Sequence, residues 1–148
     1  KMAKTYIDSY FDRYPGVKRF LDRAIEEARQ ARRTSTLLGR IRLLPDITNA
    51  NPMIRQAAER TAINTPIQGS AADLIKVAMI RIDAMLARER FEAAMLLTVH
   101  DELVFEVPPD EVDAAGRRVR EMMEGIWALK VPLKVTLAIG SNWAEAHG

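Results

Sequence analysis

The sequence contains no cysteine and only two histidines among its 148 residues. Without cysteine the chain cannot form a disulfide framework, a thiol nucleophile or a thiolate metal site, and two histidines cannot build a three-histidine zinc site. No apolar run approaches the roughly 18 residues needed to span a bilayer, and no signal-type apolar segment follows the polar start. These absences argue against a secreted disulfide scaffold and a zinc enzyme, and they predict a cytoplasmic protein with no membrane partner.

The composition is that of a chain that folds around a hydrophobic core. Apolar residues make up 48% of the sequence and charged residues 28%, and there are seven glycines and seven prolines. These proportions do not fit a disordered or a collagen-like chain, and they predict one compact domain or two small lobes. The first residue is lysine rather than an initiator methionine, so we expect the sequence to be part of a longer protein.

The net charge of +2 conceals a difference between the two parts of the chain. Residues 1–60 carry 13 basic and 7 acidic side chains, whereas residues 61–148 carry 9 basic and 13 acidic ones. A basic part followed by an acidic part is consistent with a region that contacts a polyanion and a region that collects cations, although solvated helix faces would give the same counts. The arginines of the basic part are Arg13, Arg19, Arg23, Arg29, Arg32, Arg33, Arg40, Arg42, Arg55 and Arg60.

Hydrophobic periodicity predicts helices in the first half of the chain. We expect a short, aromatic-rich helix over 6–14 and a stronger one over 17–33. The stretch 34–50 breaks the pattern and is predicted to be irregular or a small hairpin. Asn51 and Pro52 are typical of the N-cap and first position of a further helix, which reaches about residue 64.

The second half is predicted to contain a helix, a hairpin, a helix and a strand. Pro66 should kink or restart the helix because proline supplies no amide hydrogen, and a core helix follows over 71–88. Residues 95–107 are typical of two strands joined at a tight turn, and a helix after Pro109-Asp110 precedes an alternating strand over 133–139. The fold class is therefore α+β, with a helical N-terminal half, a long core helix and a small antiparallel sheet. The apolar stripe of the core helix is Leu74, Ala78, Ile82, Met85 and Leu86.

The predicted hairpin carries three polar residues at its tip, His100, Asp101 and Glu102. Adjacent carboxylates held by two strands can bind a hard cation, and Mg²⁺ prefers one or two carboxylates completed by water and substrate phosphates. Asp and Glu are also ordinary hairpin-turn residues, so this spacing alone leaves both interpretations open. A serine hydrolase is disfavoured because adjacent strand residues point to opposite faces and Ser70 lacks the G-x-S-x-G turn.

A second set of polar residues is Arg60, Asn64 and Gln68, which lie four positions apart. This spacing places the three side chains on one helical face if the kink at Pro66 is mild. A guanidinium and two amides suit phosphates and the edges of bases, although a solvated stripe has the same spacing. The small residues that follow, Gly69 to Ala72, would let another backbone approach this face.

A series of short motifs runs in order along nearly the whole chain. They are Tyr10-Phe11-Asp12-Arg13-Tyr14-Pro15-Gly16-Val17, Thr36-Leu37, Gly39-Arg40, Leu44-Pro45-Asp46-Ile47, Ala58-Glu59-Arg60, Ile63-Asn64, Pro66 to Asp73, Val99-His100-Asp101-Glu102-Leu103-Val104 and Gly140-Ser141-Asn142-Trp143. Together they resemble the family A DNA polymerases, whose third polymerase signature is similar to the motif at the predicted hairpin. The resemblance implies that residues 1–65 are the helical, arginine-rich fingers portion and residues 66–148 the palm portion.

The resemblance also implies roles for the residues at the hairpin. It makes Asp101 a ligand of a catalytic magnesium ion and Glu102 an auxiliary carboxylate beside the same ion. His100 is similar to the family histidine that lies near the primer terminus. A site of this kind takes part in nucleotidyl transfer to a primer 3′ end, with primer–template DNA and deoxynucleoside triphosphates as partners of the intact enzyme.

Arg60, Asn64 and Gln68 match family positions that contact the template–primer, partly through the minor groove. Acceptor atoms occur there on every base pair, so hydrogen-bond donors can test the geometry of a pair without reading its sequence. By resemblance to the bacterial members, the intact protein is expected to act in the cytoplasm, in association with the nucleoid.

Two other family signatures do not occur in the 148 residues. These are an Asp-Tyr-Ser type strand that supplies the other metal-binding aspartate and a helix whose lysine, arginine and tyrosine hold the incoming nucleotide. Since two-metal phosphoryl transfer needs both ions, the isolated chain is expected to be inactive. The alternative is a non-catalytic nucleic-acid-binding or interaction module in which Asp101 and Glu102 only close a turn.

Overall fold

The computed structural model describes residues 2–147, which form two compact units. The first unit ends at Ser70 and contains α1 (Met2–Arg13), α2 (Pro15–Ala31), β1 (Arg33–Ser35), β2 (Ile41–Leu43), a 3-10 helix (Pro45–Thr48), α3 (Pro52–Asn64) and a π-helical turn (Thr65–Gly69). The chain continues through α4 (Ser70–Glu89), β3 (Ala94–Val99), β4 (Glu102–Glu106), α5 (Val112–Glu124) and α6 (Trp143–His147). The predicted mixture of helices and small antiparallel sheets is confirmed.

Proline and asparagine start the helices of the first unit. α2 begins at Pro15, earlier than predicted, because the fixed φ of proline suits the first helical turn, where its missing amide hydrogen is not needed. The N-cap predicted at Asn51 is confirmed, since its side-chain oxygen accepts a hydrogen bond from the Met53 amide at 2.9 Å. These start signals can be read from the sequence because each acts over two or three residues.

The core of the first unit lies where α2, α3 and the 3-10 helix meet. Its alanines are small enough for α2 and α3 to approach closely, and Arg29 of α2 donates to Glu59 of α3 at 2.7 Å beside this contact. Between α2 and the 3-10 helix, β1 pairs antiparallel with β2, so the segment predicted as irregular or a small hairpin contains a hairpin. The buried core residues are Ala28, Leu44, Ile47, Ala58 and Ala62.

The helix does not break at Pro66, where a kink or restart was predicted. It widens into the π-helical turn, because Pro66 has no amide hydrogen to donate to the preceding turn. Side-chain hydroxyls then bind nearby carbonyls: Thr65 Oγ1 donates to the Thr61 carbonyl at 2.8 Å, and Ser70 Oγ donates to the Pro66 carbonyl. The backbone therefore stays helical on both sides of the proline.

The core of the second unit forms around α4. The predicted stripe is confirmed, since Ala78, Ile82, Met85 and Leu86 are buried and Leu74 packs against them. Helix α5 covers this core with Ala115 and Val119, and the β3–β4 hairpin adds Met95, Leu103 and Phe105. Among the described residues, no helix combines the length and the apolar character that crossing a membrane requires.

The C-terminal strand predicted over 133–139 is wrong. In the described part of the chain, β3 and β4 pair only with each other, and residues 132–140 carry no strand. The alternation itself is present, because Leu133, Val135 and Leu137 are half-buried between exposed neighbours. It arises from packing beside α5, where Leu137 adjoins Gly116 and the Val135 amide donates to a Glu124 carboxylate oxygen at 3.0 Å. Alternating apolar and polar residues indicate that one face of an extended segment is buried, and either a helix or a sheet can bury that face.

Candidate functional site

The β3–β4 hairpin places the predicted acidic residues at a two-residue turn. Val99 pairs with Glu102 across the antiparallel ladder, so His100 and Asp101 form the turn and Glu102 is the first residue of β4. The backbone of His100 is left-handed, with a φ of 54°. A non-glycine residue rarely adopts this conformation, and histidine, asparagine and aspartate accept it more readily than other side chains.

The two faces of β4 are chemically different. Leu103 and Phe105 pack against the core of the second unit, so the alternation of a strand directs Glu102 to the opposite face. His100, Asp101 and Glu102 are all exposed, and Leu97 beside the turn keeps 48% of its surface exposed. The polar side chains therefore lie at the exposed end of the hairpin, and the Leu103–Phe105 face of β4 packs against the core.

The acidic turn carries two carboxylates, Asp101 and Glu102, and a histidine from α6 lies beside Glu102. Within residues 2–147, no group of three or more His, Cys, Asp or Glu side chains is arranged to hold a metal ion. Asp101 and Glu102 nevertheless fit Mg²⁺, which binds proteins through one or two carboxylates and takes its other ligands from water and phosphate. Glu102 Oε2 also lies 3.4 Å from the Nδ1 atom of His147 in α6, a neighbour that its distance in sequence gave no reason to expect.

The second predicted set lies in the first unit, on α3 and the π-helical turn. Arg60, Asn64 and Gln68 are all exposed. Asn64 and Gln68 border a cavity of about 300 Å³, whereas Arg60 is not part of its lining. The π-helical turn thus keeps the two amides together at one surface cavity and leaves the guanidinium outside it.

The other wall of this cavity comes from the β1–β2 hairpin, which contributes Arg40 and Arg42. The hairpin approaches closely because Gly69 has no side chain: a Cβ at Gly69 would lie 2.8 Å from Thr36 Cγ2. The Leu37 amide donates to Ser70 Oγ at 2.7 Å and the Arg40 guanidinium donates to the Gly69 carbonyl at 3.3 Å. The predicted approach of another backbone to these small residues is confirmed.

Sequence reasoning did not identify Arg40 and Arg42 as neighbours of Asn64 and Gln68. Gly39-Arg40 was recognised as a motif, but nothing local relates it to residues nearly thirty positions later. The cavity lining contains two arginines and two amide residues, types of side chain that suit a ligand with phosphates and hydrogen-bonding edges.

An acidic hairpin turn and a cavity of arginines and amides are features typical of proteins that handle nucleic acids and their phosphates. The family model of DNA polymerase family A matches residues 1–145. This chain is 51% identical to DNA polymerase I of Bacillus caldotenax over 146 residues and 48% identical to that of Mycobacterium tuberculosis (strain ATCC 25618 / H37Rv) over the same length. The matched regions cover 99% and 98% of this chain, respectively.

Among solved structures, the polymerase domain of Pol1 from M. smegmatis, in complex with DNA primer–template and dNTP, matches 99% of this chain with a TM-score of 0.96 and 45% identity. The chain belongs to DNA polymerase family A, as the motifs predicted. It spans 17% and 16% of the length of the two curated relatives and 26% of the solved chain.

Proposed function

We propose that this chain is part of a DNA-directed DNA polymerase that adds deoxynucleotides to a primer 3′ end on a template, in DNA replication or repair. The observation that carries the proposal is the match to a polymerase domain that holds primer–template and dNTP, with a TM-score of 0.96 over 99% of the chain. At 45% identity this match supports similarity of the site as well as of the fold.

In this proposal the β3–β4 hairpin is a carboxylate-tipped metal site. Asp101 and Glu102 are the residues that would hold Mg²⁺, since they are adjacent, exposed and fixed by the ladder pair at Val99. When bound, Mg²⁺ neutralises charge that develops on the phosphate oxygens during transfer. Asp101 supplies a carboxylate ligand at the turn, and the exposed His100 beside it is proposed to lie near the primer terminus.

The cavity of the first unit is proposed to contact DNA. Asn64 and Gln68 donate hydrogen bonds from their amides to acceptors in the minor groove, which every base pair offers. Arg60, exposed on the same helix, binds a backbone phosphate. These contacts align the primer end, and they hold DNA without preference for one sequence because the acceptors they use are common to all base pairs.

The assignment of regions rests on the similarity to the polymerase family. Residues 1–65 are the fingers portion and residues 66–148 the palm portion, and the partners of the intact enzyme are primer–template DNA and deoxynucleoside triphosphates. In this proposal the isolated chain is inactive, because Asp101 and Glu102 by themselves do not supply the ligands that two-metal transfer requires, and within residues 2–147 no larger group of metal-binding side chains surrounds them.

The test of this function is Asp101→Asn in the intact polymerase that carries this sequence. Asparagine keeps the size and the turn preference of aspartate but removes the charge that a hard cation needs. We expect single-turnover incorporation to slow by about three orders of magnitude while primer–template affinity changes little, because the lost interaction acts mainly in the transition state.

The matched control is Asp110→Asn, which removes a charge from another exposed turn of the same unit. It should incorporate nucleotides at the parent rate. If Asp101→Asn also stays within a few-fold of the parent, Asp101 is only a turn residue and the proposed metal site is wrong.

A further inference from the structure

The C-terminal motif Gly140-Ser141-Asn142-Trp143 builds a locally fixed helix start. Asn142 Oδ1 accepts a hydrogen bond from the Glu145 amide at 3.1 Å, and Glu145 reaches back to accept one from the Ser141 amide at 3.0 Å. The Asn142 side-chain amide also donates to Glu145 Oε1 at 2.9 Å. This reciprocal arrangement is a variant of the capping box in which Glu145 accepts from the residue before the cap, and it links the first turn of α6 to the residues before it.

Two further contacts fix the other end of α6. A Cβ at Gly140 would lie 2.6 Å from the Ala146 backbone nitrogen, so the chain before the helix runs directly against its last turn. The Trp143 ring packs on the His147 ring, with centroids 5.7 Å apart and planes inclined by 58°. The imidazole of His147 is therefore held by its helix and by an aromatic neighbour.

His147 meets the acidic turn at Glu102, whose Oε2 lies 3.4 Å from the His147 Nδ1 atom. The backbone of Glu102 is fixed without His147, because it pairs with Val99 and its carbonyl accepts a hydrogen bond from Thr98 Oγ1 at 3.0 Å. The Glu102 side chain, in contrast, is 49% exposed and is free to adopt several rotamers unless a neighbour selects one.

We propose that His147 is a positioning residue that orients the Glu102 carboxylate toward the metal site, and that the capping box and Trp143 hold His147 for this purpose. The proposal rests on the polymerase function above. Its physical basis is that a partner which orients a ligating carboxylate tunes metal binding without touching the metal. A purely structural role is a poor explanation of this contact, because exposed pairs of this kind add little to folding stability.

The experiment compares three variants at residue 147 in the intact polymerase. His147→Ala removes the ring and the Nδ1 atom, His147→Phe keeps a ring to pack on Trp143 but has no nitrogen, and His147→Asn keeps a side-chain nitrogen near the position of Nδ1. Mn²⁺ binding to the polymerase with primer–template is measured by electron paramagnetic resonance. The kcat and the nucleotide KM are measured separately.

We expect His147→Ala and His147→Phe to lower both the Mn²⁺ affinity and kcat about threefold. The factor is small because a single exposed polar contact is lost, and the nucleotide KM should change little. His147→Asn should restore both values to near those of the parent. In a Glu102→Gln background, His147→Ala should have no further effect, because the two residues act through one contact.

The proposal is overturned if His147→Phe has the Mn²⁺ affinity and kcat of the parent, because ring packing alone would then be sufficient. It is also overturned if His147→Asn loses as much Mn²⁺ affinity and kcat as His147→Ala. It is also overturned if all three variants equal the parent while Asp101→Asn remains severely impaired. That last pattern leaves the polymerase function intact, whereas a silent Asp101→Asn would count against the function itself.

Discussion

His100 occupies a backbone conformation that most side chains avoid. Its φ of 54° lies in the left-handed region, where a non-glycine residue costs about 1 kcal/mol or more. Such conformations persist where the surrounding structure determines them, and they are concentrated at functional sites. Here the ladder pair Val99–Glu102 imposes the turn, so the histidine is held beside Asp101 at a cost in stability.

Substitution of His100 tests this conformation. We expect His100→Val to lower the free energy of unfolding by about 1–2 kcal/mol relative to His100→Gly, because a β-branched residue tolerates the left-handed region poorly and glycine tolerates it well. Urea denaturation of the two variants, followed by circular dichroism, provides the comparison. Equal stability of the two variants would mean that the turn does not hold residue 100 in the left-handed region.

The contact between the β1–β2 hairpin and the π-helical turn depends on Gly69. Alanine there would bring a Cβ to 2.8 Å from Cγ2 of the buried Thr36, so the hairpin must shift. We expect Gly69→Ala to destabilise the first unit by about 1–3 kcal/mol. Urea denaturation measures this loss, and adding Thr36→Ser should recover most of it, because serine lacks Cγ2 but keeps the hydroxyl that accepts from the Arg40 amide.

Gly116→Ala is the matched control for a helical glycine. A Cβ at Gly116 would lie 3.3 Å from Cδ1 of Leu137, the end of a flexible side chain rather than backbone, and alanine favours the helix by up to about 1 kcal/mol. This variant should therefore be neutral or more stable than the parent. If Gly69→Ala is equally harmless, the close approach of the hairpin is not what requires glycine at 69.

Arg118, in the middle of α5, pairs with Glu89 at the C-terminal end of α4. Arg118 donates to Glu89 through two nitrogens, at 2.9 and 2.7 Å, and Arg88 donates to the same carboxylate at 3.0 Å. The hydrogen bonds from Arg118, and next those from Arg88, lower the pKa of Glu89 from its ordinary value of 4.5 to about 2. The folded carboxylate therefore releases its proton more readily than the unfolded one.

This pKa difference makes the second unit sensitive to acid. A carboxyl group whose pKa is lowered by folding stabilises the fold above its unfolded pKa, near 4.5, and loses that contribution as the pH falls toward 2. We expect Glu89→Gln to remove part of the fall in stability between these two pH values. Urea midpoints of the parent and the variant at pH 6 and pH 3 measure the difference, and an unchanged fall in stability would contradict it.

Short-range signals in the sequence predicted most helices and strands, but not the partners of those elements. The Asn51 cap and the stripe of α4 follow from patterns within a few residues, and both were confirmed. The strand over 133–139 was wrong because the same alternation results from packing on α5. The second wall of the cavity and the neighbour of Glu102 were missed because Arg40 and His147 are distant in sequence from the residues they approach.

At the scale of the whole molecule, the 148-residue chain is expected to give no primer extension. Within residues 2–147 its acidic turn is not part of a larger group of metal-binding side chains, and transfer of a phosphoryl group depends on positioned metals. A primer-extension assay with the purified chain, with the intact polymerase at equal concentration as the positive control, tests this. Template-dependent incorporation by the chain alone would contradict it.

The β3 strand contains a bulge that lies away from the acidic turn. Between Met95 and Leu97 the register shifts by one residue, so β3 has an extra residue at Leu96 that β4 does not match. Two ladder pairs separate the bulge from Val99, which pairs with Glu102, and β4 is anchored in the core by Leu103 and Phe105, so we expect the pair at the turn to form with or without the extra residue. Deletion of Leu96, which is 56% exposed, is therefore expected to remove the bulge while the pair Val99–Glu102 and the acidic turn keep their register.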